Sequence, residues 1–215
     1  MTGVARSRFP DPRTGPGDAP LAWGGDLLPA TLLDAYRHGI FPWPDDDQTL
    51  MWWSPDPRAE IPLDGLALSR SLRRLLRSGR LHCSVDAAFH AVVVACADRA
   101  EGTWILPGLV ESYTALHDLG VAHSVEVWDE QEALVGGLYG VSIGGAFMGE
   151  SMFHRASGAS KVALVHLVEH LRSRGFALLD AQMPTPHLAS LGAVAVPRDA
   201  FLDHLDAALA LPITF

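Results

Sequence analysis

Lysine occurs once in the 215 residues, at Lys161, and cysteine only twice, at Cys83 and Cys96. Two cysteines outside a CxxC pair exclude a disulfide framework. No apolar run is long enough to span a bilayer, which excludes a membrane helix. The opening stretch, residues 1–20, has no apolar core of the kind a secretion signal needs. Its Pro, Gly, Arg and Asp content predicts a flexible leader. A soluble cytoplasmic protein is expected. Excess positive charge is also missing: 16 Lys and Arg stand against 25 Asp and Glu, a formal net charge of −9. Indiscriminate polyanion binding is therefore disfavoured. What remains is 48 % hydrophobic and 19 % charged residues, ordinary for a globular chain with a sizeable core.

The little positive charge is unevenly placed. Arg70, Arg73, Arg74, Arg77 and Arg80 lie close together with no acid between them. The first four follow i, i+3, i+4, i+7 spacing and would form one stripe on a helix. Leu68, Leu72, Leu75 and Leu76 would face the core, and Gly79 sits where a C-cap is expected. Arginine suits bidentate phosphate contact, although a solvated surface helix has the same pattern.

Along the chain, residues 28–38 predict a helix closed by Gly39. Residues 40–58, rich in Trp and Pro, predict an irregular module lining a cleft, with a solvated turn at 45–47. A helix 69–78, a strand 81–85, a helix capped by Asp86 and running to about 99, and a helix 107–119 follow. Strands are expected at 121–128, 133–139, 143–153 and 176–183, with helices at 158–174 and 197–209. Gly136, Gly137, Gly140, Gly144, Gly145 and Gly149 fall within the strand region and predict bulges, sheet curvature or a close ligand approach. The order fits an α+β fold with a mixed sheet. The expected organisation is a leader (1–20), a small N-terminal domain lining the cleft (21–57) and a catalytic domain (58–215).

Several motifs mislead. His166-Leu-Val-Glu169-His170 matches H-x-x-E-H, but no Glu follows to complete a zinc site. Gly149-Glu-Ser151-Met-Phe153 breaks the nucleophile-elbow pattern. Gly158-Ala-Ser-Lys161 lacks the spacing of a phosphate loop, yet a Gly-Ala-Ser turn opening a helix offers N–H groups to an anion or is a plain cap. The strand 176–183 is more telling. Alternation puts Phe176, Leu178, Asp180 and Gln182 on one face, and an acid and an amide in a buried strand need partners or a cavity. Glu150 poses the same question.

Ten motifs then stand in register. They are Trp23-Gly-Gly-Asp26-Leu, Tyr36-Arg-His-Gly39-Ile-Phe-Pro-Trp43, Trp52-Trp-Ser-Pro-Asp-Pro-Arg58 and Ser69-Arg-Ser71. Glu101-Gly-Thr-Trp104-Ile, Ala122-His-Ser-Val-Glu-Val-Trp128 and Leu134-Val-Gly-Gly-Leu-Tyr-Gly140 follow. The last are Gly149-Glu-Ser-Met-Phe153, Ala159-Ser-Lys161 and His187-Leu-Ala-Ser-Leu-Gly-Ala193. Over residues 21–209 the chain resembles the bacterial leucyl/phenylalanyl-tRNA–protein transferases. The resemblance implies an N-acetyltransferase-like mixed sheet with flanking helices and a small N-terminal domain. It implies transfer of Leu or Phe, and also Met, from aminoacyl-tRNA to proteins starting with Arg or Lys, marking them for degradation. No cofactor, metal or membrane is implied, and a monomer is expected. By the same resemblance Asp180 and Gln182 are catalytic and Glu150 recognises the acceptor. Tyr36, Trp43, Trp104 and Tyr113 surround the cleft. Leu138, Phe147, Gly149, Ser151 and Leu164 lie near the aminoacyl pocket, and Arg70, Arg73, Arg74 and Arg77 near the tRNA acceptor end. Departures at Leu138, Leu167 and Ala181, where some members carry Met, Phe and Cys, bear on side-chain selectivity.

The chemistry needs few residues. The donor is an activated ester, and an α-amine with a pKa of about 7.7–8.0 is partly neutral near pH 7. Holding the two together supplies roughly 7–11 kcal/mol. Asp180 and Gln182 would orient the amine, with either a proton relay or a ribose hydroxyl moving the proton. Two other readings are a CoA-dependent N-acetyltransferase, disfavoured by the lack of a Gly-rich pyrophosphate loop before Gly158, and a non-catalytic binder of tRNA or basic N-termini.

Overall fold

The computed structural model describes residues 7–45, 49–99 and 102–215. Parts of the expected leader, of the 45–47 turn and of the Glu101 motif lie outside these. The elements in chain order are a 3-10 turn (Pro12–Thr14), β1 (Ala22–Trp23), α1 (Pro29–Arg37), β2 (Phe41–Pro42), β3 (Met51–Trp53) and β4 (Arg58–Glu60). Next come α2 (Arg70–Arg77), β5 (Leu81–Val85), α3 (Phe89–Ala97), α4 (Pro107–Asp118), β6 (Ala122–Asp129), β7 (Leu134–Ile143) and β8 (Ala146–His154). The chain closes with α5 (Ala159–Arg174), β9 (Leu178–Gln182), α6 (Pro186–Ser190), β10 (Val194–Val196) and α7 (Arg198–Leu209).

The fold is α+β. Seven strands form one mixed sheet in the order β10-β4-β9-β8-β7-β6-β5, and β1-β3-β2 form a small second sheet. Within the large sheet only β8 and β9 run parallel, which requires the crossover that α5 supplies. Apolar residues of α1, α3, α4, α7 and the small sheet build one core layer. Residues of α5 and the inner side of α2 build another. α3, α4, α5 and α7 each bury a face against strands, α1 packs on β2, α4 and α7, and α2 packs on α5.

Several expectations are corrected. Residues 7–20 are not a loose leader. Phe9 packs on Trp52 at 4.7 Å, and the carbonyls of Gly15 and Pro16 accept from the guanidinium of Arg198, which is itself buried. The Pro-rich module does hold strands, but only of two or three residues, because each Pro removes a ladder donor. Asp86 does not cap α3. It sits at φ 56°, and its carboxylate accepts from the Ser124 N–H and bonds His123. Glu126 instead takes the N–H groups of Ala87 and Ala88. Ile143 ends β7 rather than opening β8, since Gly144 (φ 56°) makes the turn where a Cβ would strike the Leu209 carbonyl. Leu72 is buried as expected, but Leu76 is exposed. Both α6 and β10 were absent from the sequence reading, being three to five residues long.

Candidate active site

Two neighbouring irregularities in the sheet create the site. In the β7–β8 ladder Tyr139 faces Ser151 while Gly140 faces Gly149, so Glu150 is an extra, bulged residue. A bulge re-aims its side chain out of the strand's alternation. Gly140 is needed opposite, because a Cβ there would meet the Met148 carbonyl and the Phe147 ring. In the β4–β9 ladder Ala59 faces Gln182 and Glu60 faces Asp180, which leaves Ala181 as the extra residue. Gln182 has φ 63°, uncommon for a non-glycine residue. The β8–β9 ladder holds only three pairs, ending at Met148↔Asp180. Beyond that point the two strands part and a pocket opens between them.

Opposed bulges bring Glu150 and Gln182 together. Gln182 Nε2 donates to Glu150 Oε1 at 2.7 Å, and Tyr113 Oη donates to Oε2 at 2.6 Å. Tyr36 Oη lies 2.7 Å from Tyr113 Oη and, since that proton is committed, is the donor. Burial pushes the Glu150 carboxyl up to about 7, with the tyrosine hydroxyls working the other way. The same burial, with Glu150 beside them, raises Tyr36 and Tyr113 well above the usual phenol range.

Asp180 and Arg58 lie behind this pair, with side chains 0 % and 1 % exposed. Arg58 Nε and Nη2 donate to the two Asp180 oxygens at 2.8 and 2.6 Å, and Nη1 donates to the Gly39 carbonyl. The guanidinium lies between the rings of Phe41 and Phe201, 4.7 and 4.4 Å away. Asp180 Oδ1 also accepts from the Gln182 N–H at 2.8 Å. That bond holds Gln182 in its left-handed conformation.

The pocket measures about 270 Å³. Leu138, Leu164, Leu167, Leu179, Ile61 and Met152 make it apolar, and Glu150 and Gln182 give it one polar wall; Asp180 also borders it, with its carboxylate turned to Arg58. Trp43 and Trp104, stacked at 5.5 Å, also line it. Gly149 and Ser151 complete the set expected there. Three expected residues are elsewhere. Tyr36 and Tyr113 are fully buried behind Glu150, and Phe147 packs in the core against Phe215. Met183, Thr185 and Leu188 were missed. Alternation assigned Met183 to the face away from Gln182, but the bulge and the positive φ end the period-2 pattern there.

A second, larger cleft of about 1010 Å³ adjoins the pocket; Arg99, Met152 and His187 line both. Its cations are Arg74, Arg80, Arg99, Arg155 and Lys161, against one carboxylate, Asp98. Of the arginine stripe only Arg74 lines the cleft; Arg70, Arg73 and Arg77 do not. His166 and His170 do share α5, but His170 packs on Phe215 at 4.5 Å. Among the described residues no cluster of His, Cys, Asp and Glu suits a metal, and no helix is long and apolar enough to cross a membrane.

An apolar slot with a polar wall thus opens onto a cationic cleft. Comparison with known proteins gives the family. The family profile described as leucyl/phenylalanyl-tRNA protein transferase matches residues 61–206, and that of its N-terminal domain matches 25–56. The chain belongs to the leucyl/phenylalanyl-tRNA–protein transferase family. It is 49 % identical over 213 residues to the leucyl/phenylalanyl-tRNA–protein transferase of Oleidesulfovibrio alaskensis, covering 95 % of this chain and 86 % of that one. It is 56 % identical over 187 residues to the one of Aromatoleum aromaticum, covering 86 % and 78 %. A looser overlap, with a TM-score of 0.40 and 13 % identity, exists with a GCN5-related N-acetyltransferase from Kribbella flavida, over 78 % of this chain and 60 % of that one.

Proposed function

We propose that the enzyme moves Leu or Phe, and also Met, from aminoacyl-tRNA to the α-amine of proteins starting with Arg or Lys, a mark for degradation. The observation that carries this reading is the junction of the two cavities at Arg99, Met152 and His187. An amino-acid side chain in the apolar pocket would leave its ester link at that junction, with the RNA in the cationic cleft. Leu, Phe and Met differ by about 1–3 kcal/mol per methylene in such a slot, so they compete.

The polar wall supports a division of labour. Gln182 Nε2 is committed to Glu150, so Oε1 is the atom left to accept from the attacking amine. The amine nitrogen forms the new C–N bond, the ester C–O bond breaks, and the amine proton ends on the ribose oxygen. Asp180 is assigned a different part from the one its sequence position suggested. Its oxygens serve Arg58 and the Gln182 backbone, so it positions Gln182 rather than touching substrate. With the Asp180 charge neutralised by Arg58, Glu150 is the pocket carboxylate left for a cationic acceptor side chain. Its raised pKa means that an arriving guanidinium or ammonium ionises it, which favours basic N-termini over neutral ones.

The test is radiolabelled Leu or Phe on tRNA, mixed with peptides starting with Arg, Lys or Ala. Label is expected in the Arg and Lys peptides only. No label in any peptide, or equal label in all three, refutes the reading.

A further inference from the structure

The stripe of arginines on α2 was the obvious phosphate grip, yet it mostly misses the cleft. The opening turn of α5 does not. Gly158 enters it at φ 84° and supplies no side-chain cap. Ala159 N–H and Val162 N–H find carbonyls at Ala156 and Gly158, which leaves the N–H groups of Ser160 and Lys161 without an acceptor among the described residues. Unpaired donors at the start of a sixteen-residue helix attract an anion.

The side chain of Ser160 points to the same conclusion independently. The residue is only 5 % exposed, it lines the cleft, and its hydroxyl has no hydrogen-bond partner among the described residues. Its oxygen is not among the fully buried atoms that lack a partner, so the hydroxyl opens to the cleft, where it can bond what enters. The next residue, Lys161, is the chain's single lysine and lines the same cleft, as does Arg155. A hydroxyl, two N–H groups and an ammonium all come from two adjacent residues.

We infer that the α5 opening turn, Ser160 and Lys161, seats one phosphodiester of the donor tRNA's terminal strand. This rests on the proposed use of aminoacyl-tRNA and adds the site that fixes the strand's depth. The cleft passes from this turn to Arg99, where the pocket begins. A phosphate held at α5 would therefore set how far the esterified amino acid reaches into the slot.

The test is binding of charged tRNA as a function of salt, read by fluorescence anisotropy, alongside transfer. Lys161→Gln should flatten the log–log salt slope by about 0.7, the share of one single-strand phosphate contact. Ser160→Asp should weaken binding by about tenfold or more, because it sets a carboxylate where the phosphate sits. The same carboxylate suits a helix N-terminus, so thermal stability should hold or rise if the fold accepts it. Should Ser160→Asp fail to fold, Ser160→Ala and Lys161→Gln decide: wild-type affinity and slope in both overturn the seat. Wild-type binding by a folded Ser160→Asp overturns it too. Failure of the native protein to bind or use charged tRNA would instead bring down the donor assignment itself.

Discussion

Arg58→Met tests the buried ion pair that the site stands on. It leaves the Asp180 carboxylate at 0 % exposure with one remaining donor, the Gln182 N–H. Breaking one partner of such a pair costs about 3–5 kcal/mol. For a chain of 215 residues, at about 2–4 °C per kcal/mol, that is a fall in Tm of roughly 6–20 °C. Removing both charges in Arg58→Met/Asp180→Leu should behave differently. Apolar replacement of a whole pair is often close to neutral, so most of the stability should return. The remaining deficit is the orphaned Gln182 N–H, about 1–3 kcal/mol. Transfer should not return, because nothing then holds Gln182 at φ 63° against Glu150. A displacement of about 1 Å at a reacting group costs on the order of a hundredfold. Calorimetry gives the stabilities and single-turnover transfer from charged tRNA gives the rate. Recovery of transfer in the double variant would falsify the positioning role, and wild-type Tm in Arg58→Met would remove the pair's structural role as well.

Acceptor binding should depend on pH through Glu150. With its carboxyl raised to about 7, attraction for an Arg start is present above that pH and fades as pH falls through it. KM for an Arg peptide should climb on acidification, whereas Glu150→Gln should show a high, flat KM and little preference for Arg over Ala. Gly149 lines the pocket, and a Cβ there would lie 3.4 Å from the Asp180 carbonyl, so a small side chain fits with its branches in the slot. Gly149→Val should cut kcat/KM for Phe more than for Leu, by about tenfold in the ratio; equal losses count against the slot. In salt titrations of tRNA binding Arg74→Gln should flatten the slope by about 0.7, while Arg73→Gln/Arg77→Gln leaves it unchanged. The opposite pattern would return the grip to the outer stripe.

Much of this was legible because it is local. Periodicity gave α1, α2, α4, α5 and α7 to within a residue or two at either end, since a helix's burial pattern is written in its own neighbours. Asp180, Gln182 and Glu150 stood out as polar residues in apolar strands, and all three line one pocket. What escaped was set by residues far apart. Arg58 carries no local mark of its role; its partner lies 122 positions on, and its cationic group is stabilised by rings from β2 and α7. The arginine stripe was read correctly as one helix face, but which of its members borders the cleft depends on how α2 packs against α5.

Alternation failed at the chemistry for a physical reason. A period of two holds only while each residue has one partner across the ladder. At Glu150 and at Ala181 one strand carries an extra residue, so the side chains beyond are re-aimed. The acid and the amide face each other because two strands are irregular at the same level of the sheet. Regular pairing would have turned Glu150 along the strand and closed the gap between β8 and β9. The irregularity is stabilised from behind, by Tyr113 on the carboxylate and by the Arg58–Asp180 pair on the Gln182 backbone. That support lies in the core, which is why substitutions there should silence transfer even where stability can be restored.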